Sequence, residues 1–322
     1  MKARSVLTVA LAVAGATLGV VAPASAGLTT FCEGDAGAVT VPGDLRVAAT
    51  KSCVLDGTTV TGTVTVEPGA NLVVTNGTFQ KEVVLQDDSY FDAHGTTFAS
   101  TVTATDAYGF FLADTTSGTV KVAPNLHPDK ATYSYFNGAK VHGDINTTKA
   151  EVYAEGVTVD GNVSGTNASY LDIVNSVVNK DFSVSGAPLG SVFCANEVYG
   201  NTSYAGNAGT LQVGADGPIA ACAEASFFNG NVTISNNTGG VNLGNTIIRG
   251  NLDGTGNDPA PTGSGNRVRG TTGGQFVNMA SAAAAAKRMA AKGAQQRDSA
   301  AKLEERKAQA VAAADAHGPA NI

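Results

Sequence analysis

The sequence contains no tryptophan, only four cysteines and four histidines, and just 15% charged residues in 322 positions. No two cysteines are spaced as Cys-x-x-Cys and the histidines are scattered, so the pattern of a structural zinc site is missing. Basic residues are scarce in the central part, where positions 27–270 hold 11 Lys and Arg against 23 Asp and Glu. This acidic balance argues against nucleic acid or an anionic membrane as the main partner, because both need clustered basic residues.

Long apolar runs are also missing, except for one at the N-terminus. Two basic residues in the first four positions precede an apolar stretch over 6–21, and the small residues Ala24-Ser25-Ala26 follow. This order predicts a cleavable signal peptide over residues 1–26. A retained anchor is disfavoured, because the run is shorter than the roughly 20 apolar residues of a membrane span. We therefore expect a secreted protein, extracellular or associated with the cell surface, without a stable membrane span after cleavage.

Glycine is abundant, with 39 residues, and one short phrase built around it recurs along the chain. The phrase reads apolar, any residue, glycine, small polar, apolar, as in Val159-Asp160-Gly161-Asn162-Val163. Aligned copies place this glycine or its substitute at Gly43, Gly62, Lys81, Ser100, Gly118, Gly143, Gly161, Lys180, Gly200, Gly230, Gly250 and Gly270. Nine of the eleven spacings are 18 to 20 residues. This regularity predicts a stack of repeats, none of which buries its apolar face alone.

Each repeat offers three short alternating stretches separated by turn residues. In one repeat, Thr63–Val66 and Asn71–Val74 alternate on either side of Pro68-Gly69, and Asn76-Gly77 leads into Thr78-Phe79. Apolar side chains would then point inward and Thr, Asn and Asp outward. We predict an all-β fold over residues 27–270, a single-stranded right-handed parallel β-helix of about eleven coils with three short strands per coil.

The repeat resembles the right-handed parallel β-helix superfamily, which includes pectin-lyase-like folds and shorter bactofilin-like coils. The resemblance covers Val39 to Gly270 and rests on the period of about 19 and on the alternation. A left-handed β-helix would keep a hexapeptide rhythm of 18, from which the spacings of 19 and 20 depart. The resemblance implies a fold and does not by itself imply an activity.

The four cysteines fall into two pairs on neighbouring repeats. Cys32 and Cys53 are 21 residues apart, and Cys194 and Cys222 are 28 apart with an insertion between them. In an exported chain this spacing favours disulfides over metal binding. We predict that Cys32–Cys53 clamps the first coil and that Cys194–Cys222 closes the base of a loop.

A small polar residue follows the landmark glycine in most repeats. These residues are Asp44, Thr63, Asp144, Asn162, Asp181, Asn201, Asn231 and Asn251. Stacked on successive coils, they are expected to form a hydrogen-bond ladder with backbone groups at the bend. A row of Ca²⁺ ligands is the alternative, and it is disfavoured because the Asp offsets and paired glycines of calcium-binding repeats are missing. We expect no metal and no cofactor.

Two insertions interrupt the rhythm and carry aromatic residues. One lies between Gly118 and Gly143 and contains Pro124–Lys130, and the other lies between Gly200 and Gly230. Loops that interrupt a rigid repeat commonly carry binding sites. The candidate binding residues are Tyr133, Tyr135, Phe136 and Tyr204. Stacking on sugar rings and plain packing against the core are both open for them.

The character of the chain changes in residues 271–322. Positions 281–316 are rich in alanine and carry seven Lys and Arg but few large apolar residues. High helix propensity with little apolar surface predicts a solvated helix or a partly disordered tail. Folding back on the last coil is an alternative, and so is contact of its basic face with an anionic envelope polymer.

Catalytic residues are hard to find. Asp87-Asp88 resembles the paired-Asp motif of polygalacturonases, and His142-Gly143 resembles their His-Gly motif. The two elements are 55 residues apart, about three coils; no Asn-x-Asp element lies upstream of Asp87, and no Arg-x-Lys element follows His142. Asp87, Asp88 and His142 are therefore weak catalytic candidates, and we expect no enzyme.

The sequence favours a secreted, non-enzymatic β-helix scaffold, surface-structural or adhesive, with a polysaccharide or a cell-envelope polymer as its candidate partner. Two alternatives stay open, namely a polysaccharide lyase or glycoside hydrolase and a self-assembling scaffold. The oligomeric state is not indicated by the sequence.

Overall fold

A computed structural model describes residues 27–122, 127, 130–214, 216–217, 219–222, 224–281, 297 and 299–322. The predicted signal peptide over 1–26 lies outside the described residues, as do most of the first insertion and positions 282–296 of the tail.

Three parallel sheets, here named A, B and C, contain the strands of the described part. Each coil contributes one strand to each sheet in turn, except the last, which has no strand in sheet B. The strands of sheet A are Thr29–Phe31, Asp44–Val47, Val64–Val66, Val83–Leu85, Val102–Ala104, Val120–Val122, Ile145–Thr148, Val163–Thr166, Phe182–Ser185, Thr202–Ala205, Val232–Ser235 and Leu252–Asp253. The strands of sheet B are Gly34–Ala36, Ser52–Asp56, Asn71–Thr75, Tyr90–His94, Gly109–Ala113, Thr132–Asn137, Ala150–Glu155, Tyr170–Val174, Ser191–Cys194, Leu211–Val213 and Val241–Leu243. The strands of sheet C are Thr40–Val41, Thr59–Val60, Thr78–Phe79, Thr97–Phe98, Thr116–Ser117, Lys140–Val141, Thr158–Val159, Val177–Val178, Glu197–Val198, Ser226–Phe228, Thr246–Ile248 and Arg267–Val268.

The predicted right-handed parallel β-helix with a period near 19 is confirmed, and the described residues form about twelve coils where about eleven were expected. The additional coil lies at the N-terminus. Thr29–Phe31 and Gly34–Ala36 pair with the strands of the next coil, although they precede the first glycine landmark, Gly43. The strands on either side of both insertions pair in the same register as the other coils.

One continuous core runs along the axis of the coils. Side chains in equivalent positions stack from coil to coil, as in the fully buried file of Leu72, Phe91 and Phe110 in sheet B. The intervening residues of each strand point outward, and this alternation explains why the apolar pattern of the sequence has a period of two. Burial of this file requires neighbouring coils, which is why no single repeat is stable alone.

Both predicted disulfides are present. Cys32 and Cys53 join the first two coils with their Cα atoms 5.6 Å apart, and Cys194 and Cys222 join with their Cα atoms 5.5 Å apart. Their spacing along the chain matches about one coil for the first pair and one coil plus the insertion for the second. These two disulfides fit an oxidising compartment.

The predicted polar ladder at the bend between sheets C and A is confirmed. Asp144 Oδ1 accepts from the backbone N–H of Asn162 at 2.7 Å, and the Asn162 side chain accepts from the N–H of Asp181 at 3.1 Å. The same one-coil step continues from Asp181 through Asn201, Asn231 and Asn251 to Thr271. These side chains satisfy backbone donors that the tight bend leaves unpaired.

A single α-helix of the described residues, α1, spans Ser299–His317 and lies along the outer face of sheet B. It runs opposite to the progression of the coils, from Tyr170 near its start to the first coil at its end. The helical alternative for the tail is therefore confirmed for these residues. The expectation of a solvated helix is wrong, because Leu303, Ala310 and Ala314 are buried against the sheet.

The residues after α1 close the N-terminal end of the solenoid. Pro319 forms a parallel bridge with Asp35, and the backbone N–H of Ala320 donates to the Asp35 carbonyl at 2.8 Å. Ala320 and Ile322 pack against the end of the core. The chain thus folds back to its first coil and not to its last, and it covers one open strand edge there.

Candidate functional site

The weak catalytic candidates lie at two different corners of the solenoid. Asp87 and Asp88 occupy the turn that leads from sheet A to sheet B, whereas His142 follows a sheet C strand. His142 Nδ1 lies 2.8 Å from Asp160 Oδ2, its neighbour one coil further on. Asp88 is at the docked helix, where its backbone carbonyl accepts from Arg306 at 3.1 Å. The fold does not bring the aspartates and the histidine together.

The candidate binding aromatics lie in strands and not in loops. Tyr133, Tyr135 and Phe136 belong to the sheet B strand Thr132–Asn137, just after the first insertion, and Tyr204 lies in sheet A. Phe136 and Tyr204 are fully buried in the core, where a surface ligand cannot reach them. The sequence left sugar stacking and packing against the core open for these residues. Their positions are those of packed side chains.

Tyr133 and Tyr135 point out of sheet B, but helix α1 covers them. Tyr135 is 8% exposed and stacks on Tyr153 at a centroid distance of 5.4 Å. The ammonium group of Lys302 lies 5.3 Å from the centre of the Tyr133 ring. Both tyrosines belong to an apolar cluster around Leu303, so in this structure they hold the helix.

A fully buried carboxylate lies at the centre of the covered face. Asp92 accepts a hydrogen bond from the Tyr90 hydroxyl at 2.9 Å, and its other oxygen lies 2.9 Å from His94 Nε2 and 3.0 Å from Lys307 Nζ. Burial alone would raise the pKa of the Asp92 carboxyl, but the contacts with His94 and Lys307 outweigh it and hold the pKa below 3.8. The positive charge of Lys307 therefore compensates the buried negative charge of Asp92 and stabilises the contact between α1 and sheet B.

A second ionic contact lies at the start of α1. The guanidinium group of Arg297 pairs with Asp172, donates to the Leu189 carbonyl at 2.9 Å and lies 4.4 Å from the centre of the Tyr170 ring. The hydroxyl groups of Tyr170 and Ser299 are 2.9 Å apart. Cationic side chains just before the helix and at its middle are thus bound by carboxylates of sheet B, and the Arg297 guanidinium also lies on an aromatic ring there.

Acidification is expected to loosen this contact. Because the folded pKa of Asp92 lies below its unfolded value, the pair stabilises the docked helix above pH 3.8, and this contribution is lost as the pH falls through the folded pKa. Hydrogen exchange of the α1 amides from pH 6 to pH 2.5 should show protection falling only below about pH 4, after correction for the intrinsic rate. Equal protection of α1 throughout that range would contradict the role given to Asp92.

Sheets A and C keep outer faces that α1 does not cover. The outward residues of the first coils of sheet C form a file of threonines in register, namely Thr40, Thr59, Thr78, Thr97 and Thr116. Sheet A presents small polar residues in the same way, among them Ser164, Ser183, Ser203 and Thr233. These two faces offer rows of hydroxyl groups about 4.8 Å apart, the distance between neighbouring strands.

Tyr199, an exposed aromatic residue beside sheet C, was not among the residues identified from the sequence. Tyr199 follows the sheet C strand Glu197–Val198 and is 45% exposed. A signal was available, because Tyr199 immediately precedes the landmark Gly200, where Asp160 and Asn179 precede Gly161 and Lys180. This position points outward in the other copies of the repeat, except at Ser117, which is buried.

Among the described residues, no three His, Cys, Asp or Glu side chains are grouped as ligands for a metal ion. The described part of the chain also contains no helix with the length and apolarity needed to cross a bilayer.

Comparison of the chain with protein-family models, with curated proteins and with solved structures gives no match. The likeness to pectin-lyase-like and bactofilin-like coils thus extends to the parallel β-solenoid and no further.

Proposed function

We propose that this protein is an exported, non-catalytic β-solenoid scaffold with a structural or adhesive role at the cell surface or in a secreted matrix, and that polysaccharide is its ligand class. The two disulfides support the export, since such bonds persist in oxidising compartments. Cleavage of residues 1–26 belongs to the same proposal.

The observation that carries the proposal is that the three faces of the solenoid differ in composition and in whether the helix covers them. Sheet B holds aromatic and acidic residues and is covered by α1 along its N-terminal strands, whereas sheets A and C leave polar side chains in register and uncovered by the described residues. A rigid array of regularly spaced hydroxyl and amide groups suits contact with a repetitive polymer. Such contact requires no conformational change of the protein.

The main alternative is a polysaccharide lyase or glycosidase. Glycosidases need two carboxyl groups within roughly 5 to 10 Å of each other in an accessible cleft. Asp92 and Asp172, two carboxylates of the covered face, are paired with Lys307 of α1 and with Arg297 just before it, so neither is open to a substrate. Asp87 and Asp88 are adjacent, but His142 lies at another corner, so the chemistry of the polygalacturonase motif has no support.

A direct test is a pull-down of residues 27–322 with insoluble cellulose, chitin, xylan and peptidoglycan, combined with an assay for released reducing or unsaturated ends. We expect retention on at least one polymer without release of ends. Release of ends above a boiled control would replace the scaffold by an enzyme. A chain that no polymer retains would remove polysaccharide as the ligand class.

A further inference from the structure

The outer face of sheet C changes character in its C-terminal half. The threonines of the first coils are followed in register by a mixed file, which is Val177, Glu197, Phe227, Ile247 and Arg267. A second file runs beside it, one residue beyond the end of each strand, and contains Asp160, Asn179, Tyr199, Asn229, Arg249 and Arg269. We name these two files together the Tyr199 face.

An aromatic pair lies at the centre of the Tyr199 face. The rings of Tyr199 and Phe227 are 6.2 Å apart and meet edge to face at 64°. Tyr199 is 45% exposed, whereas Tyr90, Tyr170 and Tyr204 are buried. The core does not need Tyr199, because its neighbour Val198 already fills the inward position of that coil. A large aromatic side chain held outside a filled core is typical of a contact surface.

The tyrosine ring is fixed from below. Its hydroxyl donates to Glu197 Oε2 at 2.8 Å, and this bond to the carboxylate raises the pKa of the Tyr199 phenol. Glu197 lies directly under Phe227 in the sheet register. The aromatic pair is therefore held in one orientation before any ligand arrives, which reduces the loss of side-chain entropy on binding.

Positive charge follows the aromatic pair towards the C-terminal end. Arg249 is exposed, and its guanidinium donates to the amide oxygen of Asn229 at 3.2 Å. Arg267 and Arg269 lie one coil beyond it and are also exposed. None of these three arginines forms an ion pair within the described part of the chain. They stand out in a body whose other charges are mainly acidic.

Side-chain amides lie on both sides of Tyr199 along the face. Asn179 donates to Asp160 Oδ1 at 3.0 Å, and Asp160 in turn contacts His142. Asn229 is on the far side of Tyr199 and donates to the backbone carbonyl of that residue at 3.1 Å. Flanking amides beside an exposed ring can bind the hydroxyl groups of a sugar that stacks on the ring.

We propose that the Tyr199 face binds a linear anionic polysaccharide along the axis of the solenoid. Its sugar rings stack on Tyr199 and Phe227, and its acidic groups lie against Arg249, Arg267 and Arg269. The rings set the position of the chain, and the arginines select for negative charge because guanidinium groups pair with carboxylate or sulfate through two hydrogen bonds. This inference rests on the proposed function. It specifies the face that binds the polysaccharide and the negative charge of that ligand.

The test compares two soluble polymers that share the cellulose backbone, the anionic carboxymethylcellulose and the neutral hydroxyethylcellulose. It also includes every polymer that retains the protein in the pull-down. Affinity electrophoresis of residues 27–322 should show stronger retardation by the anionic polymer. Tyr199→Ala is expected to weaken binding to the polymers that retain the wild type about tenfold, because it removes the surface on which a sugar ring stacks. The pair Arg249→Gln and Arg269→Gln should weaken binding to the anionic polymer only, and its remaining binding should depend less on salt.

Phe31→Ala is the matched control, since Phe31 is an exposed aromatic residue, 59% accessible, on sheet A. It should bind like the wild type, and thermal unfolding should show all variants folded. Equal binding of wild type and Tyr199→Ala on a retained polymer overturns the site while leaving the scaffold function in place. A wild type that prefers the neutral polymer overturns the anionic ligand, and one that binds no polymer at all overturns the proposed function with it.

Discussion

Replacing Asn237 with alanine should lower the free energy of unfolding by about 3 kcal/mol, although the residue lies far from any proposed ligand. Asn237 is fully buried in a ladder of amides at the bend between sheets A and B. Its side-chain oxygen accepts from the backbone N–H of Asn207 at 3.0 Å and from the Asn207 amide at 2.8 Å. Its own amide donates to Asn257 at 2.9 Å. Alanine would leave the buried N–H of Asn207 without its acceptor, and water cannot replace it there.

The matched control is Asn251→Ala. Asn251 makes the same kind of bond, from the backbone N–H of Thr271 at 2.9 Å, but it is exposed at the bend between sheets C and A. Water can replace its oxygen, so the loss should be below about 1 kcal/mol. Urea unfolding would measure both variants, and hydrogen exchange would locate the effect in the C-terminal coils. Equal losses for the two variants would contradict the importance of burial.

Lys307→Met should release α1 from sheet B and cost about 3 kcal/mol, because it removes one of the two basic partners, Lys307 and His94, that compensate the buried charge of Asp92. Methionine keeps most of the length and apolar surface of the lysine side chain, so the variant removes charge with little change in packing. The expected signs are faster hydrogen exchange in Ser299–His317 and a change in the near-UV circular dichroism of the tyrosines under the helix. The protein contains no tryptophan to obscure that signal.

The double variant Asp92→Asn with Lys307→Met separates loss of the ion pair from damage to the helix. If an uncompensated charge causes the effect, the double variant should regain at least half of the stability that Lys307→Met loses. Gln309→Ala, on the exposed side of the same helix, should change neither stability nor exchange. A double variant as unstable as the sum of its single variants would show that Asp92 and Lys307 do not act as a pair.

The docked helix has a consequence for function. Its contacts cover the aromatic face that the sequence offered for sugar binding, and its C-terminal extension covers the first strand of sheet B. A ligand is therefore expected on sheets A and C. Variants that release α1 also allow a check of this assignment, since binding at the Tyr199 face should be unaffected by Lys307→Met. A marked gain in polysaccharide binding by that variant would place the ligand on sheet B instead.

The repeat and its strands could be read from the sequence because their determinants are local. Alternation of apolar and polar residues sets which side chains point inward, and the turn residues set where each strand ends. The ladder of exposed amides followed from the same spacing. The buried ladder was also marked, since Asn207, Asn237 and Asn257 each lie seven residues after a landmark glycine. An asparagine is by default read as an outward residue, however, and only its neighbours decide otherwise.

The fold of the coils was thus determined by the sequence itself, because each strand pairs with the chain one period away and meets a similar environment there. The place of the C-terminal helix was decided by the tertiary structure alone. Arg306 donates to Asn71 at 2.7 Å across 235 residues, and no periodicity marks such a contact. An alanine-rich helix with basic side chains looks solvated in isolation. It docks because sheet B supplies buried carboxylates and aromatic rings that match those charges, and that match exists only once the coils have stacked.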